Sequence, residues 1–190
     1  LLAYISYALK NDKSIVFFKL PGVDSIHIVQ GSKNSFNTNE VPNDAFVWNS
    51  FLDKNKLNAI IPEEPQEDNH SFEYPFNKKE VTESTYDSYK KRMRFALEQL
   101  RAKSFEKVVV ARTKYSPYSI SPLALFLRLI NSYKNTFCYL LIDQEDGVWC
   151  GASPELLWRQ NDEGFETNSL AGTGNFKQNG QNIPENISLE

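Results

Sequence analysis

The chain has 190 residues, of which 41% are hydrophobic and 13% aromatic, and its 21 basic and 24 acidic side chains give a net charge of −3. This apolar content excludes a largely disordered chain, and the slight acidity excludes the basic surplus typical of nucleic-acid modules. The longest apolar runs, such as residues 138–142, are too short to span a bilayer. We therefore expect a cytoplasmic globular protein whose partners include neither nucleic acid nor a membrane.

Cysteine use and the chain start bear on the cellular context. Cys138 and Cys150 lie in a chain without a secretory signal. They could pair, but buried free thiols in strands are the simpler interpretation. Because the chain begins at Leu1 and its only methionine is Met93, we expect it to be an excised piece of a longer protein.

Residues 1–61 predict a β-rich N-terminal subregion. Apolar residues at helical spacing over residues 1–9 predict a short amphipathic helix. Residues 14–20 predict a buried strand that ends at the turn pair Pro21-Gly22. Residues 25–30 are predicted to pair with this strand as a hairpin. Further strands are predicted over residues 45–48 and 57–61. Together these strands suggest an antiparallel meander.

Residues 62–80 differ in kind, since residues 62–69 are acidic and interrupted by proline. Such a run is typical of an exposed linker or loop, and a cation-binding acidic patch is the less common alternative. We expect this segment to connect the N-terminal subregion to a second region over residues 81–190.

The second region predicts helices and strands in an α+β order. A helix over residues 84–103 can be capped by Thr82, Ser84 or Thr85, and another helix is predicted to start at Ser121-Pro122. Apolar periodicity predicts that the first helix buries Tyr86, Tyr89, Met93, Ala96, Leu97 and Leu100, and that the second buries Leu123, Phe126, Leu127 and Ile130. The predicted strands cover residues 107–113, 136–143, 147–152, 156–159 and 165–170, with turn pairs at Asp146-Gly147 and Glu163-Gly164.

Three segments carry residues suited to chemistry. Lys107 opens an apolar run, where it either points to solvent or lies in a semi-buried cleft that makes it a usable base. Glu155, in residues 151–157, follows a Ser-Pro turn and is either an exposed turn residue or a general acid. Residues 169–173 are small residues after a strand, and they form either a plain turn or a place where a ligand approaches the backbone.

Together and in this order, the three segments resemble the chorismate-utilising enzymes, and specifically isochorismate synthases. Residues 107–112, Lys-Val-Val-Val-Ala-Arg, are similar to the family's Lys-Val-Val-Leu-Ala-Arg strand. Residues 151–157 match its Gly-Ala-Ser-Pro-Glu-Leu-Leu motif in full, and residues 170–173 match its Leu-Ala-Gly-Thr loop. The resemblance covers residues 105–173. It implies an α+β fold with antiparallel or mixed sheets and packed helices, like the N-terminal half of the family's fold.

The resemblance also implies a reaction and assigns residues to it. Chorismate becomes isochorismate as water adds at C2 of the ring and the C4 hydroxyl leaves. Lys107 is then the general base that activates water, and Glu155 is the general acid for the leaving hydroxyl. Ala171, Gly172 and Thr173 would face the substrate. The family uses Mg²⁺, whose ligands we expect in a C-terminal half that the chain lacks, so we expect this piece to be inactive alone and the full-length enzyme to be a monomer.

Several alternatives stay open. Relatives that use ammonia, making anthranilate or aminodeoxychorismate, tend to carry an amide residue at the position of Lys107 and Pro-Ile at the positions of Ser169 and Leu170. Salicylate synthases share the lysine and are a close alternative. A non-catalytic scaffold that kept the fold is the alternative of another class, and the pathway that the product serves, menaquinone or siderophore synthesis, is open.

Overall fold

The computed structural model describes residues 1–37, 39–48, 56–75, 83–115, 120–156, 159–161 and 164–167. The fold is α+β with antiparallel strand pairs, as the sequence predicts. The helices are α1 (Leu2–Lys10), α2 (Tyr86–Arg101) and α3 (Pro122–Ser132). The strands are β1 (Ser14–Lys19), β2 (His27–Gly31), β3 (Lys33–Asn37), β4 (Phe46–Trp48), β5 (Lys56–Ile60), β6 (Phe137–Asp143), β7 (Gly147–Ser153), β8 (Arg159–Asn161) and β9 (Gly164–Glu166). The chain divides into two compact units, Leu1–Ala152 and Ser153–Glu190.

Strand β1 lies inside the larger sheet, whose strand order is β2-β1-β6-β7. It pairs antiparallel with β2, as predicted for a hairpin, and with β6 from the far end of the unit, where Ile15 lies opposite Ile142. Strands β3, β5 and β4 form a separate three-stranded sheet. The predicted meander over the first third is therefore wrong, because β4 and β5 join β3 in a separate sheet and do not extend the pair of β1 and β2. The second neighbour of β1 is distant in the sequence, and no local pattern reveals it.

The apolar run of β1 is continuous because both faces of the strand are buried. On one face, Ile15 and Phe17 belong to a helix-side cluster, whose other buried members are Ile5, Ala8, Leu123, Phe126, Cys138, Leu140 and Ile142. On the other face, a sheet-side cluster is formed by Val16, Ile60 and Leu141. Burying a large apolar side chain contributes roughly 1.5–3 kcal/mol, so β1 and β6 anchor the unit between helices and the second sheet.

Helices α2 and α3 begin at residues that the sequence offers as caps. Thr85 Oγ1 accepts a hydrogen bond from Ser88 N at the start of α2, and Ser121 Oγ accepts one from Ala124 N at the start of α3. A side-chain cap of this kind stabilises a helix by about 1 kcal/mol. Pro122 occupies the first turn of α3, where its missing N–H costs no helical hydrogen bond.

The apolar faces of these two helices are buried unequally. In α3, Leu123 and Phe126 are buried as predicted, whereas Leu127 is 38% exposed. In α2, Ala96 is the one buried residue of the predicted stripe, and Tyr86 and Leu97 are exposed. Periodicity predicts which residues share a face but not whether another element covers that face. Among the described residues, no helix has the length and apolar content needed to cross a bilayer.

Residues 107–113 do not form the predicted strand. Ser84 N donates to Thr113 O and Thr113 N donates to Ser84 Oγ, so the end of the segment is held to the entry of α2. Arg112 lies over the ring of Tyr89, 5.7 Å from its centroid. Within the described residues the rest of this backbone makes no hydrogen bond. A strand exists only when a neighbour completes its ladder, so β propensity alone is not enough here.

Residues 62–75 run along α1 instead of standing clear of the fold. Asp68 N donates to Ala3 O at 3.0 Å, and the side chains of Phe72 and Tyr74 pack against the helix-side cluster. Most of the side chains in this stretch are nevertheless exposed. The acidic side chains of this stretch therefore face solvent while its backbone contacts α1. The predicted domain boundaries at residues 61–62 and 80–81 stay a prediction.

Both cysteines are free thiols, as the sequence predicts. Cys138 on β6 is buried and Cys150 on the adjacent β7 is half-buried. Burial raises the pKa of both thiols, that of Cys150 to about 11. Both side chains are therefore protonated at neutral pH, which argues against a cysteine nucleophile at either position.

A charged cluster, formed by Lys33, Asp143, Glu145 and Asp146, joins β3 to the turn between β6 and β7. Lys33 Nζ contacts the three carboxylates at 2.8–3.2 Å. Asp143 is almost fully buried, and its carboxylate accepts further hydrogen bonds from Ser14 Oγ and from the backbone N–H groups of the turn. Strand β3, which the sequence does not predict because most of its residues are polar, is held by this cluster.

The surroundings of the charged cluster shift two pKa values. Burial alone would raise the pKa of Asp143, but the hydrogen bonds from Ser14 and Asp146 and the charge of Lys33 outweigh it, so the pKa lies below its usual range. Partial burial alone would lower the pKa of Lys33, whereas its contacts with Glu145, Asp146 and Asp143 raise it above the usual range. Both groups are therefore held in their charged forms.

Asp143→Asn is expected to destabilise the protein by about 3 kcal/mol at pH 7, because a neutral amide replaces the buried carboxylate that pairs with Lys33 and accepts hydrogen bonds from Ser14 and the turn. A carboxyl group whose pKa is lower in the folded state adds stability above its ordinary pKa of about 3.9, and loses it as the pH falls through the folded-state pKa. Urea unfolding at pH 7 and pH 3 should therefore show the gap between wild type and variant shrinking in acid.

The matched control for this prediction is Glu145→Gln. The Glu145 side chain is 82% exposed although it contacts the same lysine, so its loss should change the free energy of unfolding by less than about 1 kcal/mol. A gap between wild type and Asp143→Asn that is equal at both pH values would contradict the role given to the carboxylate.

Candidate active site

Lys107 lies in the segment that follows α2, and its side chain is exposed, like those of Glu106 and Val108 beside it. Of the two interpretations that the sequence leaves open, the solvent-facing one describes Lys107 in this structure. A ligand can therefore reach its ammonium group. Bulk water surrounds the exposed side chain. It is excluded from such a base only when the ligand or another group covers the side chain.

The motif of residues 151–157 begins inside β7, under the ring of a tyrosine on β6. A Cβ atom at Gly151 would lie 2.9 Å from Tyr139 Cε1 and 3.0 Å from the Tyr139 hydroxyl oxygen. Contacts this short force something to shift, so Gly151 has to be glycine for the ring to keep its place. A glycine inside a strand often signals such a close approach. A glycine at this position therefore predicts a close neighbour, but the sequence alone does not identify that neighbour as Tyr139.

Tyr139 connects the motif to the core. Its ring stacks on that of Phe137, with 6.0 Å between centroids, and packs against the sheet-side cluster. Burial, with a smaller contribution from Cys150, raises the pKa of Tyr139. Its hydroxyl therefore stays protonated at neutral pH and can donate a hydrogen bond beside the start of the motif.

Glu155 belongs to the second unit and lies in the turn that follows β7. Ser153 Oγ donates to the backbone oxygen of Glu155 at 3.3 Å, which fixes the turn locally. The Glu155 side chain is exposed, so this turn presents a carboxyl group to solvent. The other predicted substrate contacts, Ala171, Gly172 and Thr173, lie outside the described residues.

The described strands of the second unit, β8 and β9, overlap the predicted strands in part. Strands β8 and β9 pair antiparallel, and Arg159 forms an ion pair with Glu166 across them. The predicted strand over residues 156–159 is wrong for its first residue, since Leu156 lies outside any strand and β8 begins at Arg159. Gly164 has a positive φ of 136°, the conformation expected of a turn glycine. The end of the last predicted strand, residues 168–170, falls outside the described residues.

A polar cleft of about 290 Å³ opens beside the starts of β1 and β3 and the turn after β6. Two lysines line it, but Lys13 pairs with Glu63 at 2.8 Å and Lys33 belongs to the charged cluster. Because both lysines are neutralised, the cleft offers little net positive charge to an anionic ligand. Lys107 is not among the residues that line this cleft.

The described residues do not supply a metal site. In the parts of the chain that the structure covers, no group of three or more His, Cys, Asp or Glu side chains is placed to hold a metal ion. Within the acidic stretch, Glu63 pairs with Lys13 and Asp68 pairs with Lys10. These described residues therefore do not fit Mg²⁺.

Gly151→Ala is expected to destabilise the protein by about 1–2 kcal/mol, because the added methyl group must displace the Tyr139 ring. The measurement is a double-mutant cycle with Tyr139→Leu, followed by urea unfolding. Since leucine removes the clashing ring atoms, Gly151→Ala should cost much less in the Tyr139→Leu background. Equal costs in the two backgrounds would show that the contact does not constrain the motif.

Comparison with known proteins yields one match. A family model described as "Chorismate binding enzyme" matches residues 23–184, more than four-fifths of the chain. The matched range contains Lys107, Glu155 and residues 171–173. No curated protein and no solved structure matches the chain.

Proposed function

The chain belongs to the chorismate binding enzyme family, and on that premise we propose that it carries the acid and base residues of an isochorismate synthase. Lys107 is the general base and Glu155 the general acid. Ala171, Gly172 and Thr173 contact the substrate through backbone N–H groups and a hydroxyl. A requirement for Mg²⁺ is part of the proposal, with ligands other than the described residues.

The proposed reaction balances as an isomerisation. Neutral Lys107 takes a proton from water, and the water oxygen bonds to C2 of the chorismate ring. The ring double bonds shift as the C4–O bond breaks, and protonated Glu155 gives its proton to the departing hydroxyl, which leaves as water. One water enters and one leaves. A proton then returns from Lys107 to Glu155 through solvent before the next turnover.

The presence of a lysine at position 107 is the observation that favours this reaction over the others in the family. A lysine can act as a base toward water when its environment removes its proton, whereas an amide side chain, which ammonia-using relatives tend to carry at this position, cannot. The exposure of Lys107 supports access by a ligand. The complete motif at residues 151–157, with Glu155 on a fixed turn, supports the role of the acid.

The test is product analysis. The natural protein is incubated with chorismate and Mg²⁺, in the presence and in the absence of ammonium salts. The proposal expects isochorismate under both conditions. A nitrogen-containing product would overturn it in favour of an ammonia-using branch. Salicylate and pyruvate as the end products would overturn it in favour of a salicylate synthase, and unchanged chorismate would favour the scaffold.

A further inference from the structure

The positive charge of the chain is concentrated in one stretch. Residues 90–107, here called the basic region, hold seven basic and two acidic side chains, whereas the rest of the chain holds 14 basic and 22 acidic ones. The seven cationic side chains, all of them exposed, are those of Lys90, Lys91, Arg92, Arg94, Arg101, Lys103 and Lys107. A slightly acidic protein therefore presents a strongly positive surface at α2 and at the start of the segment that follows it.

Carboxylates of the fold do not neutralise the basic region. In the part of the chain that the structure describes, lysines elsewhere, such as Lys13 and Lys33, form ion pairs, but none of the seven cations of the basic region does. Lys90 lies over a tyrosine ring and Arg92 donates to a serine hydroxyl, and both of these partners are uncharged. Like charges without counter-charges attract anions from solution.

The chain length between two fixed points places Lys107 beside α2. Ser104 N donates to Gln99 O at the C-terminal end of the helix, and Thr113 is hydrogen-bonded to Ser84 at the other end. The 16 residues of α2 span about 24 Å, and the chain from Ser104 to Thr113 reaches at most about 32 Å. With so little slack the segment runs along the helix. Lys107 lies a third of the way along it, beside the middle of α2.

We propose that the basic region attracts the dianionic substrate toward Lys107. This inference rests on the proposed function, in which the substrate is chorismate, a molecule with two carboxylates. Lys91 and Arg94, near the middle of α2, lie roughly a helix width of 10–12 Å from the segment that carries Lys107. That distance is close to the Debye length of about 10 Å at 0.1 M salt. Their attraction therefore raises the local concentration of a small dianion without contact.

The variant Lys91→Gln/Arg94→Gln tests the proposal, because it removes two exposed charges beside Lys107 and leaves the base in place. The measurement is the rate at which the natural protein consumes chorismate, at low and at high ionic strength. At about 10 mM ionic strength KM should rise roughly three- to tenfold, with kcat within about twofold of the wild-type value. At about 0.5 M the difference in KM should fall below about twofold, since salt screens the attraction.

The matched control is Arg128→Gln/Lys134→Gln, which removes the same charge from exposed positions outside the basic region. Its KM should stay within about twofold of the wild-type value at both ionic strengths. Equal rises in the two variants would overturn the proposal, because net charge alone would then explain them. An unchanged KM in Lys91→Gln/Arg94→Gln would also overturn it, as would a rise of equal size at high salt.

The failure of this inference and the failure of the proposed function give different results. The assay follows the loss of chorismate, so a product other than isochorismate would overturn the proposed function alone. Isochorismate formed with a KM that Lys91→Gln/Arg94→Gln does not change would overturn the inference alone. If the protein consumes no chorismate, equilibrium dialysis of chorismate against the same variants measures the dissociation constant, for which the same changes are expected and the same results would overturn the inference.

Discussion

Replacing Lys107 with alanine is expected to lower kcat for chorismate turnover by roughly 10²–10⁴-fold, the usual contribution of a general base. The loss should fall on kcat more than on KM, because the base acts on the attacking water in the transition state. Steady-state kinetics on the natural protein measures both. Lys114→Ala is the matched control, since Lys114 is another exposed lysine of the same stretch.

Glu155→Gln should give a loss of similar size, because glutamine keeps the shape of the side chain but has no acidic proton for the leaving hydroxyl. Glu98→Gln, on the exposed surface of α2, should leave turnover unchanged. The double variant Lys107→Ala/Glu155→Gln should lose less than the product of the two single losses, since groups that act as a unit are not additive. A kcat that stays within a few-fold of the wild-type value in either single variant would contradict the assignment.

Gly31→Ala is expected to destabilise the protein by about 3 kcal/mol or more, at the upper end for overpacking. A Cβ atom at Gly31 would lie 1.9 Å from the backbone oxygen of Ile61. That oxygen cannot rotate away as a side chain would, and Gly31 is paired with Ser14 of β1. The variant must therefore move either β2 or the end of β5. Thermal or urea unfolding measures the loss.

Gly22→Ala is the matched control for this prediction. Nothing lies within 4 Å of a Cβ atom at Gly22, but its φ of 72° disfavours other residues, so alanine there should cost only about 1 kcal/mol. Equal losses at the two glycines would mean that backbone conformation, and not the contact with Ile61, makes glycine necessary at position 31.

The elements that local chemistry specifies could be predicted from the sequence. The unbroken apolar runs of β1 and β6 indicate burial on both faces, and both strands are found. Thr85 and Ser121 cap helices because their hydroxyl groups satisfy backbone N–H groups close by in the sequence. These predictions need no knowledge of distant neighbours.

The elements that depend on distant partners could not be predicted in this way. Residues 107–113 have the composition of a strand but no ladder partner among the described residues. Strand β3 has the composition of a loop, yet its Lys33 forms ion pairs with carboxylates more than a hundred residues away in the sequence. Pairing and ion clusters of this kind depend on tertiary structure, which overrides local propensity.

The same distinction applies to the candidate site. Lys107 and Glu155 lie in contiguous motifs, which are visible in the sequence alone. The contact between Gly151 and Tyr139 joins two strands, and only the structure reveals it. It also explains why the motif of residues 151–157 begins with glycine.

Turnover of chorismate in oxygen-18-labelled water tests the central claim, that Lys107 and Glu155 exchange a ring hydroxyl for water, most directly. Mass spectrometry of the isochorismate formed by the natural protein should show one heavy oxygen, located at C2, and the rate of its appearance should fall with Lys107→Ala. Unlabelled isochorismate would contradict the account, because it would mean that the C4 hydroxyl migrates within the molecule and that no water is activated.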